Sequence, residues 1–198
     1  MAISKFSILN SQLSTLNSQF SIPTMPIFLV GFMGCGKSTV GRKVARFAHL
    51  QFVDTDAQVE QAEGSTVADV ITYQGEEYFR TVERKVLEQT AAEDDIVVST
   101  GGGLPTWGDN MEVISQLGVS VYLRRSPKNI ISRLSPYGRQ KRPKFRGLND
   151  EQLLAFMTSH MAEREPVYSK ADIIIDCDTM ADDEVIDCIM REIKNLKQ

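Results

Sequence analysis

The stretch that most restricts the fold of this chain is GFMGCGKST, which runs from Gly31 to Thr39 directly after the apolar run IFLV. Its spacing, Gly31-x-x-x-x-Gly36-Lys37-Ser38, is that of a phosphate-binding loop between a strand and a helix. Glycine lets the backbone curl so that its N–H groups point inward at an anion. An ordinary glycine-rich turn is the alternative. The apolar run before the loop and the helical pattern after it favour the phosphate-binding loop.

The motif assigns a separate task to each of its polar side chains. Lys37 can reach the β- and γ-phosphates of a nucleotide, and Ser38 can supply a hydroxyl ligand to Mg²⁺. The helix that follows adds the positive end of its dipole. The nucleotide-binding residues predicted from the motif are Gly34, Cys35, Gly36, Lys37, Ser38 and Thr39.

The net charge, the length of the apolar runs and the cysteines indicate which partners and which compartment to expect for this protein. The 198 residues carry a net charge of −4, which gives no basic signal for nucleic acid or an anionic membrane surface. No apolar run approaches the roughly 18 residues that a membrane span needs. The three cysteines are odd in number and lack metal-ligand spacing, so reduced thiols in a cytoplasmic protein are expected. We expect a monomer that binds small molecules, without nucleic-acid or membrane partners.

The first 24 residues differ in character from the rest. LNSQ occurs at 9–12 and again at 16–19, and the segment has one Lys and no acidic residue. It lacks the long apolar stretch of a secretory signal and the arginines of a transit peptide. We therefore expect 1–24 to be disordered or a spurious extension, Met25 to be the working start, and 25–198 to form a single domain.

Short apolar runs alternate with helical patterns from Met25 onward. The runs are rich in Val and Ile, as strands covered on both faces of a parallel sheet are. Alternation of strands and helices predicts an α/β fold, a three-layer α/β/α sandwich around a five-stranded parallel sheet. The predicted strands are 27–30, 51–53, 96–99, 119–123 and 172–176. Ligands of such sheets bind at the carboxyl ends of the strands, where Gly31–Thr39 would lie.

Segment 135–150, SPYGRQKRPKFRGLND, does not follow this alternation. It has no apolar periodicity and is rich in basic residues, with Pro and Gly between them. Long structureless connections in compact domains are usually functional or disordered. We interpret the segment as a mobile lid with few buried contacts. A solvated surface loop is the alternative.

Two carboxylates follow the second predicted strand in the sequence VDTD. Asp54 and Asp56 would point the same way if the chain stays extended there. One could orient Mg²⁺ through water, and the other could accept a hydrogen bond from a substrate hydroxyl. A helix N-cap role for Asp56 is the alternative. The third strand, IVVS, ends without an acidic residue, which directs the metal role toward Ser38 and Asp54.

Glycines and arginines complete the candidate site. STGGG at 99–103 offers backbone N–H groups and room for a small ligand, although a tight turn alone would explain it. Arg80, Arg142 and Arg164 each fit a surface role individually. As a set they indicate an anionic small molecule, because the planar guanidinium meets a carboxylate or phosphate through two parallel bonds.

The ordered motifs GFMGCGKST, DTD, GEEYFR, STGGG, the Arg-Pro of the lid and REPVY resemble those of the shikimate kinases. The resemblance covers roughly residues 26–195 and implies a P-loop fold of the nucleoside-monophosphate-kinase type. It implies transfer of the γ-phosphoryl group of ATP to the 3-hydroxyl of shikimate. Shikimate 3-phosphate and ADP would form with Mg²⁺ as cofactor, in a step of aromatic amino acid biosynthesis.

The resemblance also implies a role for each site residue. Lys37, Asp56 and Arg142 would be catalytic, and Ser38 and Asp54 would hold the metal. Arg133 would lie against adenine, Arg142 would reach phosphate from the lid, and Glu83 would support the arginines. The residues that would bind shikimate are Asp56, Arg80, Gly101, Gly102, Gly103 and Arg164. The lid departs from the family pattern, since Lys144 and Phe145 stand where leucines are more common.

Other functions remain open at this point. A gluconate-type or nucleotide kinase would share the fold but would need different acceptor residues. A non-catalytic nucleotide-binding switch or scaffold is a third class, although Lys37, Asp56 and Arg142 are all present and no Asn-Lys-x-Asp guanine signature occurs.

Overall fold

A computed structural model describes residues 25–90, 93–140 and 142–196. Its centre is a five-stranded parallel sheet with the strand order β2-β3-β1-β4-β5. The strands are β1 (Ile27–Val30), β2 (Gln51–Asp54), β3 (Ile96–Ser99), β4 (Val119–Arg124) and β5 (Ile173–Asp176). The predicted sheet is confirmed, with strand ends shifted by no more than one residue. The expectation for 1–24 lies outside the described residues.

Helices follow the strands in the predicted alternation. They are α1 (Lys37–Ala48), α2 (Thr55–Glu63), α3 (Val67–Gln74), α4 (Glu76–Thr90), α5 (Asn110–Leu117), α6 (Pro127–Arg133), α7 (Pro136–Gln140), α8 (Asp150–Tyr168) and α9 (Asp182–Asn195). Short 3₁₀ helices span Leu104–Thr106 and Pro143–Phe145.

Two neighbouring residues of β1 show how the layers form. A Cβ on Gly41 of α1 would lie 3.1 Å from Leu29 Cδ1, whereas a Cβ on Gly118, after α5, would lie 3.0 Å from Phe28 Cε2. Successive strand residues point to opposite faces of the sheet. Helix α1 and the end of α5 therefore cover opposite faces. This arrangement is the predicted three-layer sandwich.

The phosphate-binding loop follows β1, the middle strand of the sheet. All four residues of β1 and all four of β3 are buried, which explains their unbroken apolar sequences. From β1 the chain continues to β2, which lies on one side of β1 in the sheet, whereas β4 lies on the other side of β1. Order reversal of this kind opens a crevice at the carboxyl ends of the strands.

A second, smaller hydrophobic cluster lies between α2, α3 and α4. It contains Val59, Val70, Phe79, Val82 and Val86. This cluster fixes α4 relative to α2, and α4 carries charged side chains of the candidate site.

The structure corrects the prediction for segment 135–150. It contains α7 and a 3₁₀ helix, and Phe145 is only 1% exposed. The Phe145 ring packs edge-on against Phe156 of α8, with centroids 6.1 Å apart. Arg139 forms an ion pair with Asp150. The prediction of a structureless connection was wrong, because one aromatic residue can anchor a loop without any periodicity. The expected mobility and few buried contacts of the segment stay predictions.

Candidate active site

Three glycines shape the phosphate-binding loop. Gly31, Gly34 and Gly36 have φ angles of 138°, 85° and 105°, a region that other residues rarely adopt. Space is also limited, since a Cβ on Gly31 would lie 3.0 Å from the Leu123 carbonyl oxygen and 3.1 Å from Cys35 Sγ. The curled backbone predicted from the motif thus depends on glycine at these positions.

Lys37 begins helix α1 and folds back over the loop. Its side-chain nitrogen donates to the carbonyl oxygens of Gly31 at 2.7 Å and Phe32 at 3.1 Å. The residue is only 7% exposed. Its positive charge is therefore held inside the curl of the loop, where the motif places phosphate.

Oxygen donors meet at the ends of β2 and β3. Ser38 Oγ donates to Asp54 Oδ2 at 2.7 Å and lies 3.2 Å from Ser99 Oγ. Within the three described ranges, no group of three or more His, Cys, Asp or Glu side chains could hold a metal ion. A hydroxyl and a carboxylate nevertheless suit Mg²⁺, which keeps several waters and takes few protein ligands. Ser38 and Asp54 therefore fit the ion.

The geometry of the two aspartates differs from the prediction. Asp54 ends β2 and caps α2, since its Oδ1 accepts from the Asp56 N–H at 3.2 Å. Asp56 lies in the first turn of α2, so the prediction of a continuous extended segment was wrong. The N-cap role considered for Asp56 belongs to Asp54.

The Asp56 carboxylate still faces the predicted substrate pocket. A Cβ on Gly101 would lie 2.5 Å from Asp56 Oδ1 and 2.6 Å from Glu83 Oε1. A side chain at Gly101 would therefore displace at least one of these two carboxyl groups.

Both carboxyl groups have raised pKa values. Desolvation in a concave site raises the pKa of Asp56 to about 6, and the charge of Asp54 adds to the effect, although the side chain keeps access to solvent. Burial raises the pKa of Glu83 to about 7, even though Arg80 favours its charged form. Titratable groups with perturbed pKa values in a cleft are typical of active sites.

Arg80 is held by two carboxylates of its own helix. Its Nη1 donates to Glu83 Oε2 at 2.6 Å and its Nη2 to Glu76 Oε1 at 2.9 Å. A Cβ on Gly103 would lie 2.8 Å from both terminal nitrogens of Arg80. The guanidinium is thus fixed against the glycine loop, and Glu83 supports it as the family resemblance implied.

Arg164 reaches the same loop from α8. Its Nη1 donates to the Gly102 carbonyl oxygen at 3.3 Å, and its guanidinium carbon lies 5.6 Å from the centroid of the Phe32 ring. A Cβ on Gly102 would lie 3.1 Å from the backbone nitrogen of Met33. The loop that joins the two arginines therefore abuts the phosphate-binding loop directly.

Sequence reasoning assigned no role to two groups that hold this glycine loop. The Gly101 N–H donates to Thr55 Oγ1 at 2.8 Å, and the Tyr168 hydroxyl donates to the Gly102 carbonyl oxygen at 2.5 Å. Both residues lie in quoted motifs, DTD and REPVY. Their positions within those motifs were the sequence signal from which a role could have been predicted.

Two residues predicted to contact the nucleotide form their bonds outside the glycine loop. Arg142 donates from Nη1 to the Gly138 carbonyl oxygen at 2.6 Å, and burial lowers its pKa. Arg133 pairs with Asp182 at 2.6 Å, with 42% of its side chain exposed. Arg142 thus bonds within the predicted lid and Arg133 bonds to the start of α9.

The parallel sheet, the glycine-curled loop with its buried lysine, and the adjoining pocket of arginines and carboxylates define a P-loop kinase of small molecules. Comparisons with known proteins identify the family within that class. The family model described as shikimate kinase matches residues 33–194.

Individual relatives agree with the family model. A shikimate kinase of Bacteroides fragilis is 36% identical over 170 residues, which span 86% of this chain and 94% of that protein. The crystal structure of the shikimate kinase of Bacteroides thetaiotaomicron is similar with a TM-score of 0.78 and 35% identity, over 87% of this chain and 97% of the other. The Acinetobacter baumannii shikimate kinase in complex with shikimate has a TM-score of 0.79 and 31% identity, over 91% and 98%.

The chain belongs to the shikimate kinase family. It is an ATP-dependent small-molecule kinase, and these relationships support phosphorylation of shikimate as its function. The gluconate-type and non-catalytic alternatives are not favoured. Among the helices of the described ranges, none has the length and apolar character to cross a bilayer.

Proposed function

We propose that this protein transfers the γ-phosphoryl group of ATP to the 3-hydroxyl of shikimate, through the residues described above. The observation that carries the proposal is the contact between the two pockets. The glycine loop that holds Arg80 and Arg164 lies against Met33 of the phosphate-binding loop. A carboxylate substrate held by these arginines would therefore lie beside the terminal phosphate.

ATP would lie in the curl formed by residues 34–39. Backbone N–H groups of the loop would bind the phosphates, and Lys37 would exchange its carbonyl partners for oxygens of the β- and γ-phosphates. Arg133 would lie against the adenine. Catalysis in such a site rests on positioning and on stabilising charge in the transition state.

Ser38 and Asp54 would hold Mg²⁺. Their present bond of 2.7 Å keeps a hydroxyl and a carboxylate together at the edge of the loop. Bound between these two side chains, Mg²⁺ would supply positive charge against the negative charge that develops on the phosphates.

Shikimate would be bound through its carboxylate and oriented through its hydroxyls. Arg80 and Arg164 would each present a planar fork to the carboxylate, with Glu83 holding Arg80 in place. Asp56 would accept a hydrogen bond from the 3-hydroxyl and take its proton during attack. Glycines at 101–103 would keep the pocket open to the ring.

Arg142 would act from the lid. Its bond to the Gly138 carbonyl oxygen is local, so a small rearrangement of α7 and the 3₁₀ helix can free the guanidinium for phosphate. Closure would exclude water, which otherwise competes for the γ-phosphoryl group. Phe145 would be the pivot, because it stays anchored in the core.

A coupled ADP-release assay with shikimate, gluconate and nucleoside monophosphates tests the proposed function. We expect turnover with shikimate to be at least about a hundredfold faster than with the other acceptors. The other acceptors cannot form the same hydrogen bonds, so they would leave buried polar groups of the pocket unpaired. Phosphorus and proton NMR of the product would place the phosphate on the 3-oxygen. Equal turnover with gluconate, or a different phosphate position, would contradict the proposal.

Lysine at either arginine position should weaken shikimate binding. Arg80→Lys and Arg164→Lys keep the charge but lose the two-bond fork, so we expect KM for shikimate to rise by about tenfold or more. KM for ATP should change by less than about twofold. Arg191→Lys is the matched control, because Arg191 is exposed on α9 and pairs with Glu192 of the same helix. An unchanged KM for shikimate in both variants would place the carboxylate clamp elsewhere.

Removal of the lid arginine should slow transfer more than it weakens binding. In Arg142→Ala we expect kcat to fall by about a hundredfold, because one donor to the transferring group is lost. KM for shikimate should be retained. Arg146→Ala serves as control, since Arg146 also bonds within the lid, from Nε to the Gln140 carbonyl oxygen. Normal kcat in Arg142→Ala would remove this arginine from the mechanism.

Several expectations stay predictions. These are the cytoplasmic location, the monomeric state, the lack of nucleic-acid and membrane partners, and the single domain spanning 25–198. The mobility of segment 135–150 is a further one. Hydrogen exchange there should slow when an ATP analogue and shikimate are both bound.

A further inference from the structure

Two consecutive arginines at the end of β4 have opposite surroundings. Arg124 has 42% of its side chain exposed and pairs with Asp176 at 2.5 Å. Arg125 has only 1% of its side chain exposed. Burial of a guanidinium destabilises the folded protein unless its N–H groups form hydrogen bonds. The contacts of Arg125 therefore indicate what its burial achieves.

Arg125 joins the loops that follow three neighbouring strands. Its Nε donates to the carbonyl oxygen of Cys35, in the phosphate-binding loop, at 2.9 Å. Its Nη1 donates to the carbonyl oxygen of Cys177, after β5, at 2.6 Å and to Asn129 Oδ1 at 3.0 Å. The buried side chain thus ties the phosphate-binding loop to the β4 and β5 side of the site.

The bond to Cys35 fixes one peptide of the loop. In a trans peptide, the C=O of one residue and the N–H of the next point in opposite directions. Because Arg125 holds the Cys35 carbonyl on its own side, the Gly36 N–H must point away from Arg125. Gly36 has a φ of 105°, and glycine tolerates rotation of the peptide before it. The arginine supplies an orientation that the glycine backbone by itself does not impose.

The remaining nitrogen of Arg125 is less well satisfied. Nη2 is the buried side-chain nitrogen in the described part of the chain that has no hydrogen-bond partner. Its nearest carboxylate is that of Asp182 at 3.7 Å, whose Oδ1 also pairs with Arg133. Retaining a buried cation with one unused donor costs stability, which is consistent with a functional reason for its presence.

We propose that Arg125 is a positioning residue for nucleotide binding, which holds the Cys35–Gly36 peptide with its N–H turned toward the phosphates. This inference rests on the proposed function, in which residues 34–39 bind ATP. Arg125 itself would not touch the nucleotide. It would act through the loop backbone, so nucleotide binding should depend on it and shikimate binding should not.

The test compares Arg125→Met with Arg124→Met by calorimetric titration of the folded proteins with ADP and, separately, with shikimate. We expect Kd for ADP to rise at least about tenfold in Arg125→Met, since a charge-assisted bond that orders the loop is lost. Kd for shikimate should stay within about twofold. Arg124→Met should bind both ligands as the unaltered protein does. Should Arg125→Met not fold, Arg125→Gln, which also lacks the guanidinium fork, decides the question in the same way.

Each outcome has a distinct meaning. An ADP Kd within twofold of the unaltered protein in a folded variant would overturn the proposal. A parallel loss of ADP and shikimate binding would also overturn it, because it would show that Arg125 only maintains the fold. If the unaltered protein bound ADP but not shikimate, the proposed function would fail, and the ADP comparison between the two variants would still test Arg125.

Discussion

Lys37→Ala is expected to lower kcat by about a thousandfold or more while leaving shikimate binding intact. The ammonium is held inside the curled loop by two carbonyl oxygens and would stabilise charge on the transferring phosphoryl group. The uncharged alanine side chain cannot supply this stabilisation. The coupled ADP-release assay gives kcat, and calorimetric titration gives Kd for shikimate.

Lys85→Ala is the control for this experiment. Lys85 is exposed on α4, so the same chemical change there should leave kcat unaltered. Circular dichroism and the melting temperature would show that both variants fold. A folded Lys37→Ala protein with near-normal turnover would remove the assignment of residues 31–39 as the catalytic phosphate site.

Asp56→Asn is expected to lower kcat by about a thousandfold, within the range for loss of a positioned general base. An amide can still accept a hydrogen bond from the 3-hydroxyl but cannot take its proton. KM for shikimate should therefore change much less than kcat. Asp187→Asn, an exposed aspartate on α9, is the matched control.

The raised pKa of Asp56 predicts a particular pH dependence. Desolvation and the charge of Asp54 raise it to about 6, while Lys37 and Arg80 act in the opposite direction. The ionised form is the active one, so kcat/KM should be full above the pKa and fall about tenfold per pH unit below it. Glu60 also faces this carboxylate, and Glu83 titrates nearby with a pKa of about 7.

Rate profiles between pH 5 and 8 would check this expectation. In Asp56→Asn the fall below about pH 6 should be much shallower, because the group that titrates there is gone. If kcat/KM fell just as steeply at low pH in that variant, another group would be responsible for the fall. That result would argue against Asp56 as the base.

Much of the fold could be predicted from the sequence because its signals are local. Buried parallel strands are apolar throughout, so β1 and β3 stand out in the sequence. The phosphate-binding loop carries its own geometry, since Gly31, Gly34 and Gly36 adopt backbone angles that glycine tolerates best. Residues 27–39 were therefore sufficient to predict both the central strand and the phosphate-binding site beside it.

Prediction failed where a side chain's role depends on neighbours distant in sequence. Phe145 has no periodic companions, yet it anchors the lid because Phe156 of α8 lies opposite it. Asp54 rather than Asp56 caps α2, since the helix begins two residues earlier than a segment extended as far as Asp56 would allow.

The sequence by itself determined the order of strands and helices, the phosphate-binding loop and the set of residues available for chemistry, since these follow from short-range pattern and spacing. Tertiary structure alone decided which groups meet. It placed Gly102 against Met33, and so the substrate pocket against the nucleotide site. It also buried Arg125 against Cys35 while leaving Arg124 partly exposed and paired with Asp176. The two arginines are adjacent in the sequence and chemically identical, so only the packing of loops that are distant in the sequence distinguishes them.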